Sequence, residues 1–234
     1  MINDEMISQM SHYNSLKSRI LFEISSWIGR KFCRNRSKIP LTKEPLLLDL
    51  GVGDNYKDDW IHADFFSCPR HFNPLKILFS RKDKTKRLPE VETDLRYPLN
   101  CPDDSIDGVY FSHTIEHLLP HEAINLIREI YRVLKPNKWL RIIVPDLKFS
   151  VESYYGRNKL SKFTGCEAIM SYTQNWGHRS AWDEELLSLV LKNAGFINIK
   201  KVDYGTGGQD ARLIKEEDIR QLGSLVLEAQ KPDY

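Results

Sequence analysis

Short apolar runs alternate with amphipathic stretches along most of the chain, a pattern that predicts an α/β fold. Leu46, Leu47, Leu48 and Leu50 form the first run, which suits a central strand of a parallel sheet covered on both faces. Further strands are predicted at Trp60 to Asp64, briefly around Val91, at Asp107 to Ser112, and over the run WLRIIVPD that begins at Trp139. From Pro120 to Lys135 the residues Ala123, Ile127, Ile130, Tyr131 and Leu134 recur at helical spacing, and Pro136 ends the segment. A later helix is predicted over Asp183 to Ala194, with Gly195 at the left-handed position that closes it. FINIKKVDY and SLVLEAQ then read as a final pair of strands, antiparallel because no long crossover separates them.

The flanks of this pattern differ from its centre. Met1 to Tyr13 reads as a polar arm, and from Leu16 to Phe32 the residues Leu16, Ile20, Ile24, Trp27, Ile28 and Phe32 share one helical face. Arg30, Lys31, Arg34, Arg36 and Lys38 crowd its end. An accessory helix packed on the domain is favoured over a basic amphipathic helix resting on an anionic membrane surface. Residues 1–44 are therefore read as an arm with an accessory helix, and 45–234 as the main domain. Within that domain, 147–181 shows no sheet pattern. Tyr154, Tyr155, Tyr172, Trp176 and His178 mark it as a lid over a substrate.

Composition narrows the class. At 234 residues with 41% hydrophobic content, the chain can bury a full core within one domain. A net charge of +2 provides no global field for nucleic acid, and the run Arg81 to Arg87 reads as a solvated loop. Four cysteines without a CxxC pair fit reduced thiols of a cytoplasm, and no His/Cys/Asp spacing suggests a bound metal. No segment approaches the roughly 20 apolar residues of a membrane span. Glu5, Lys17, Arg19 and Glu23 interrupt any signal-peptide core, so a cytoplasmic protein is expected, touching membrane only through its basic helix.

Candidate chemistry gathers at the carboxyl ends of the predicted strands, where ligands of doubly wound sheets bind. Gly51 and Gly53 follow the first strand directly and allow a sharp turn. Asp49, a carboxylate in an otherwise apolar strand, is read as aimed at a cationic ligand. Asp64 ends the second strand, where an acid commonly meets ribose hydroxyls, but it follows Gly51 by far fewer than the roughly 20 residues usual in dinucleotide folds. The first crossover is therefore shortened, and the N-terminal helix is expected to supply the missing cover. Asp94, Ser112 and His113 are placed on the same crevice.

Taken together, these motifs resemble the class I S-adenosylmethionine-dependent methyltransferases. They are most similar to the small methyltransferase domain 11 type associated with sugar and surface-polysaccharide pathways. DLGVG matches the D/E-x-G-x-G motif, WIHAD the acidic second strand, and TDLRYPLNCPDDSIDGVYFSHTIEHL the third acidic motif running into the fourth strand. The resemblance extends from about Pro45 to Lys231. It implies a Rossmann-like doubly wound sheet of seven strands with the last antiparallel. It further implies that Asp49, Gly51 and Gly53 meet the methionine end of S-adenosylmethionine, Asp64 its ribose and Asp94 its adenine amine. A cofactor carrying an ammonium and a sulfonium suits carboxylates around a glycine turn. Tyr56, three residues after Gly53, stands where a nicotinamide fingerprint would want glycine.

For a hydroxyl acceptor a base is also required, and His113, Glu116, His117 and the lid residue His178 are the candidates. Were Ile115 to Leu119 to open a helix, at most one of Glu116 and His117 would face the pocket. A small-molecule or saccharide acceptor is expected, with a sugar hydroxyl favoured by the aromatic lid. The rival reading is a non-catalytic methyltransferase-fold binding or scaffolding protein. Nothing in the sequence encodes an oligomeric state.

Overall fold

A computed structural model describes residues 16–32, 37–52, 55–65, 89–174, 177–215 and 221–233. All four residues of strand β1 (Leu47–Leu50) are buried, because parallel neighbours flank both its edges and both its faces are covered. β2 (Trp60–Asp64) lies on one side and β4 (Ile106–Ser112) on the other; the two-residue β3 (Val91–Glu92) extends the sheet past β2. β5 (Leu134–Pro145) is parallel to β4, and β7 (Ser224–Gln230) is inserted antiparallel between β5 and β6 (Ile197–Lys201). The order β3-β2-β1-β4-β5-β7-β6 is thus the seven-stranded, Rossmann-like sheet with an antiparallel last strand. β5 begins five residues before Trp139, at Leu134. Asn137 takes a left-handed φ of 61° within it, a conformation asparagine tolerates.

Alternation along the strands divides the core in two. Leu48, Leu50, Val109, Phe111, Ile142 and Leu227 belong to the larger cluster, with residues of α2 (Pro120–Val133) and α5 (Glu184–Ala194). Asp183 caps α5 at its start by accepting from the Leu186 N–H, and Gly195 closes it at φ 107°, as the sequence predicts. On the opposite face Leu47, Trp60, Tyr110, Ile143 and Val226 pack against Leu213.

Leu213 shows what replaces the first crossover helix. Among the described residues, 51–59 contain no helix. Instead the segment is pinned by polar contacts: the Lys57 amide donates to His62 Nε2 at 3.0 Å, Lys57 Nζ to the Ile214 carbonyl at 2.7 Å, and Asn55 Nδ2 to the Lys215 carbonyl at 3.0 Å. Cover therefore comes from the connection between β6 and β7 and not, as expected, from the N-terminal helix. A fully buried ion pair, Arg141 Nη1 to Glu228 Oε1 at 2.6 Å, ties that connection down. Arg141 Nη2 also donates to the carbonyls of Asp203 and Thr206, while Glu228 Oε2 accepts the Gln209 amide.

The N-terminal helix α1 (Leu16–Phe32) is packed on the domain, but not through the apolar stripe that the sequence picks out. Among its described side chains Ser26 is the buried one, whereas Ile20, Ile24, Trp27 and Phe32 are half or more exposed. Polar contacts hold it: Ser26 Oγ donates to Asp94, and Arg96 pairs with Glu23 at 2.6 Å. An apolar stripe specifies that one side leaves water, but not what it meets, and here the polar side faces the domain.

The expected lid is helical, with α3 (Leu147–Tyr154) and α4 (Cys166–Gln174) following β5. Tyr172 anchors it, donating to the carbonyls of Pro145 and Trp182 and accepting the Trp182 amide. Gly53, Trp176, Cys33, Cys68, the arm and the basic run Arg81 to Arg87 lie outside the described residues.

Candidate functional site

The carboxyl ends of β1 and β4 meet through one close contact. Gly51 turns the chain at φ 73°, and a Cβ built on it would collide with Thr114 Oγ1. That hydroxyl donates to the Leu50 and Ser112 carbonyls at 3.2 and 3.1 Å, so the loop after β4 is fixed directly against the turn after β1. Gly51 is required here by its protein neighbour as well as by its backbone conformation.

Beneath the turn, Asp49 is 1% exposed and its carboxylate is paired with the ammonium of Lys215, itself 5% exposed. Burial pushes the Asp49 carboxyl up to about 6, with Lys215 and Lys57 pulling against it and the nearby Asp64 adding to the rise. Lys215 was not legible as a site residue: it stands in a charged stretch far along the chain, without a surrounding motif. The site accordingly holds a primary ammonium, that of Lys215, against Asp49.

The other two predicted acids occupy the neighbouring strand ends. Asp64, half-buried, accepts its neighbour Phe65's amide at 2.6 Å. Asp94 accepts from Arg96 Nη2 at 2.8 Å, from Arg96 Nε at 3.0 Å and from Ser26 of α1. Burial raises its carboxyl, but those hydrogen bonds and the Arg96 charge outweigh it and hold the group below the ordinary carboxylate range. Ser112 ends β4 half-buried, opposite Ile143.

Past β4 the chain brings together all four predicted acid–base residues. His113 adopts a left-handed φ of 51°, and its Nδ1 lies 3.3 Å from Glu116 Oε1 while its Nε2 lies 3.0 Å from Ser224 Oγ. Ile115–His117 is a single 3-10 turn and not the opening of an α-helix. The condition under which at most one of Glu116 and His117 would face the pocket, an α-helix opening at Ile115, is therefore not met. His178 arrives from the lid, its ring 5.2 Å from that of His117. The Arg179 and Ser180 amides donate to the Glu116 carbonyl at 2.7 and 3.1 Å and fix this approach. His178 Nδ1 contacts the Tyr172 carbonyl, which makes it the protonated nitrogen and leaves the lone pair on Nε2. Burial holds His178 below its ordinary pKa, against the opposing pull of Glu116.

Residues 48–142 match the family described as "Methyltransferase domain". The matched segment runs from β1 into β5. Among solved structures, the chain is similar to a SAM-dependent methyltransferase from Archaeoglobus fulgidus, at 20% identity and a TM-score of 0.49, over 98% of this chain and 100% of that one. It is also similar to a Thermotoga maritima SAM-dependent methyltransferase described as a possible histamine N-methyltransferase (17%, 0.46, covering 91% and 92%). A third is Haemonchus contortus phosphoethanolamine N-methyltransferase 2 in complex with S-adenosyl-L-methionine (17%, 0.44, covering 90% and 56%). No curated protein sequence matches the chain significantly.

Proposed function

We propose that this protein transfers a methyl group from S-adenosylmethionine to a small-molecule or saccharide acceptor, with a sugar hydroxyl as the acceptor group. The observation that carries the reading is the Gly51–Thr114 contact, which sets the His113 to His117 segment beside the turn of the methyltransferase motif. Asp49 would hold the cofactor's ammonium and Asp64 its ribose, with the Gly51 backbone between them. When bound, the cofactor supplies a methyl group on a sulfonium sulfur, which departs as a neutral thioether.

The chain's own part is positioning and proton removal. Holding donor and acceptor in line provides up to about 7–11 kcal/mol in the best cases. His113 takes the proton of the acceptor hydroxyl, with Glu116 beside its Nδ1 at 3.3 Å. The aromatic lid covers the acceptor, and the site works within the cell.

Calorimetry with S-adenosylmethionine tests the reading. Binding is expected, weakened at least tenfold by Asp64→Ala, while His113→Ala lowers kcat and leaves cofactor affinity unchanged. A folded sample without binding would sink it. One observation favours the non-catalytic alternative: Asp49 and Asp94 both already hold cationic side chains. The same titration separates the two, since a scaffolding protein binds no cofactor.

A further inference from the structure

Glu116 is 0% exposed, and neither of its carboxylate oxygens has a hydrogen-bond partner among the described residues. A buried carboxylate left in that condition is costly unless a cation compensates it. The polar groups packed around it are imidazoles and backbone: His113 Nδ1 at 3.3 Å, His117 and His178, with the Arg179 and Ser180 amides spent on its main-chain carbonyl. A carboxylate oxygen of Glu116 and one ring nitrogen each of His117 and His178 lie within 4.8 Å of one another.

From this geometry we infer a divalent-metal site of the zinc class formed by Glu116, His117 and His178. Three features support it independently of the sequence motif. First, two imidazoles and one carboxylate form a ligand set that suits zinc and its transition-metal neighbours and leaves further coordination positions open. Second, His178 already has the outer arrangement of a metal-ligating histidine, its Nδ1 held by the Tyr172 carbonyl and its Nε2 lone pair directed elsewhere. Third, the unsatisfied Glu116 carboxylate supplies the negative charge that the ion would neutralise. Zinc–ligand distances of about 2.0–2.2 Å require the three atoms to draw together by roughly an ångström. His117, half-buried on a 3-10 turn, is placed to move.

The fold brings His178 from the lid to the turn after β4, a meeting that no spacing in the sequence shows. The proposal rests on the methyltransferase reading for its role: an open position on the ion would take the acceptor's oxygen or nitrogen and lower its pKa beside the methyl donor, with His113 receiving the proton.

Metal binding is measured without cofactor, which keeps the two readings separable. The full chain is stripped with chelator and titrated with Zn2+ against a chromophoric competitor, with Co2+ as a spectroscopic substitute and Mg2+ as the hard-cation comparison. The expected result is one equivalent of Zn2+, visible Co2+ bands, and no detectable Mg2+ binding. His117→Ala and His178→Ala should each weaken Zn2+ at least 100-fold, whereas His121→Ala, exposed at the start of α2, should leave it unchanged. Melting curves of all three variants report folding. No Zn2+ binding by folded protein, or affinity unaffected by both histidine variants, overturns the site. Zn2+ binding without any binding of S-adenosylmethionine keeps the site and overturns the methyltransferase reading instead.

Discussion

Lys215 pairs with Asp49 across a sequence separation of 166 residues, and both side chains are buried. The ammonium of Lys215 thereby occupies the position that a cofactor ammonium would take against the same carboxylate. On the proposed function the two cations would compete for one partner. Replacing Lys215 by Met keeps the apolar stem and removes the competitor. Isolated protein should lose about 3–5 kcal/mol of stability, because a buried charge loses its partner. S-adenosylmethionine affinity should rise at least tenfold, and the cofactor should raise the variant's melting temperature more than it raises the wild type's. Calorimetry and thermal melts on the two proteins measure both effects; equal affinity would show that cofactor and Lys215 do not share Asp49.

A pH dependence follows from the same carboxylate. Its pKa is pushed from 3.8 to about 6 by burial, opposed by Lys215, so between those values the folded chain holds a proton that the unfolded chain releases. Asp49's contribution to stability is therefore fully present below pH 3.8 and is lost as pH rises through about 6. Cofactor binding runs the other way, since an ammonium prefers the ionised carboxylate. Affinity for S-adenosylmethionine should increase through about pH 6 and level off above it. Asp49→Asn should weaken binding and flatten that step. A calorimetric pH series on both proteins checks the prediction.

Arg141 and Glu228 face each other across β5 and β7 with neither side chain exposed. Because their remaining hydrogen bonds reach Asp203, Thr206 and Gln209, the pair anchors the connection that covers Leu47, Trp60 and Tyr110. Glu228→Ala should cost about 3–5 kcal/mol by stranding the guanidinium. The double variant Arg141→Met, Glu228→Leu should recover much of that loss in urea unfolding. Lys215 approaches Asp49 from this same connection, so cofactor affinity should change in the single variant as well.

Local pattern was enough to read the sheet, because burial and strand period act over a few residues. The run Leu46 to Leu50, the helix from Pro120 and the Gly195 cap all appear where the pattern places them. So does the antiparallel final pair. What escaped were pairings between distant segments. Lys215 on Asp49, and Arg96 and Ser26 on Asp94, each depend on the course of a loop, and no periodicity encodes that. The shortened crossover was legible from the spacing of Gly51 and Asp64. Its replacement was not, since Leu213 becomes a cover residue only when the sheet brings it over Trp60 and Tyr110.

The orientation of α1 leads to the last prediction. Ile20, Ile24, Trp27 and Phe32 are 50–67% exposed, while Ser26, Glu23 and Arg30 engage the Asp94–Tyr97 loop. Lys31 lies 5.0 Å from the Trp27 ring, so a cation flanks the outward apolar stripe. Trp, Ile and Phe beside Lys and Arg suit the boundary of an anionic bilayer, where apolar burial and charge attraction add. The full chain should co-sediment with vesicles containing phosphatidylserine, more weakly at high salt, and much less with neutral phosphatidylcholine vesicles. Ile24→Glu and Trp27→Glu should each abolish that binding without lowering the melting temperature, since both side chains are exposed in the folded chain. Equal sedimentation with both vesicle types, or no loss in either variant, would show that this stripe does not bind an anionic bilayer.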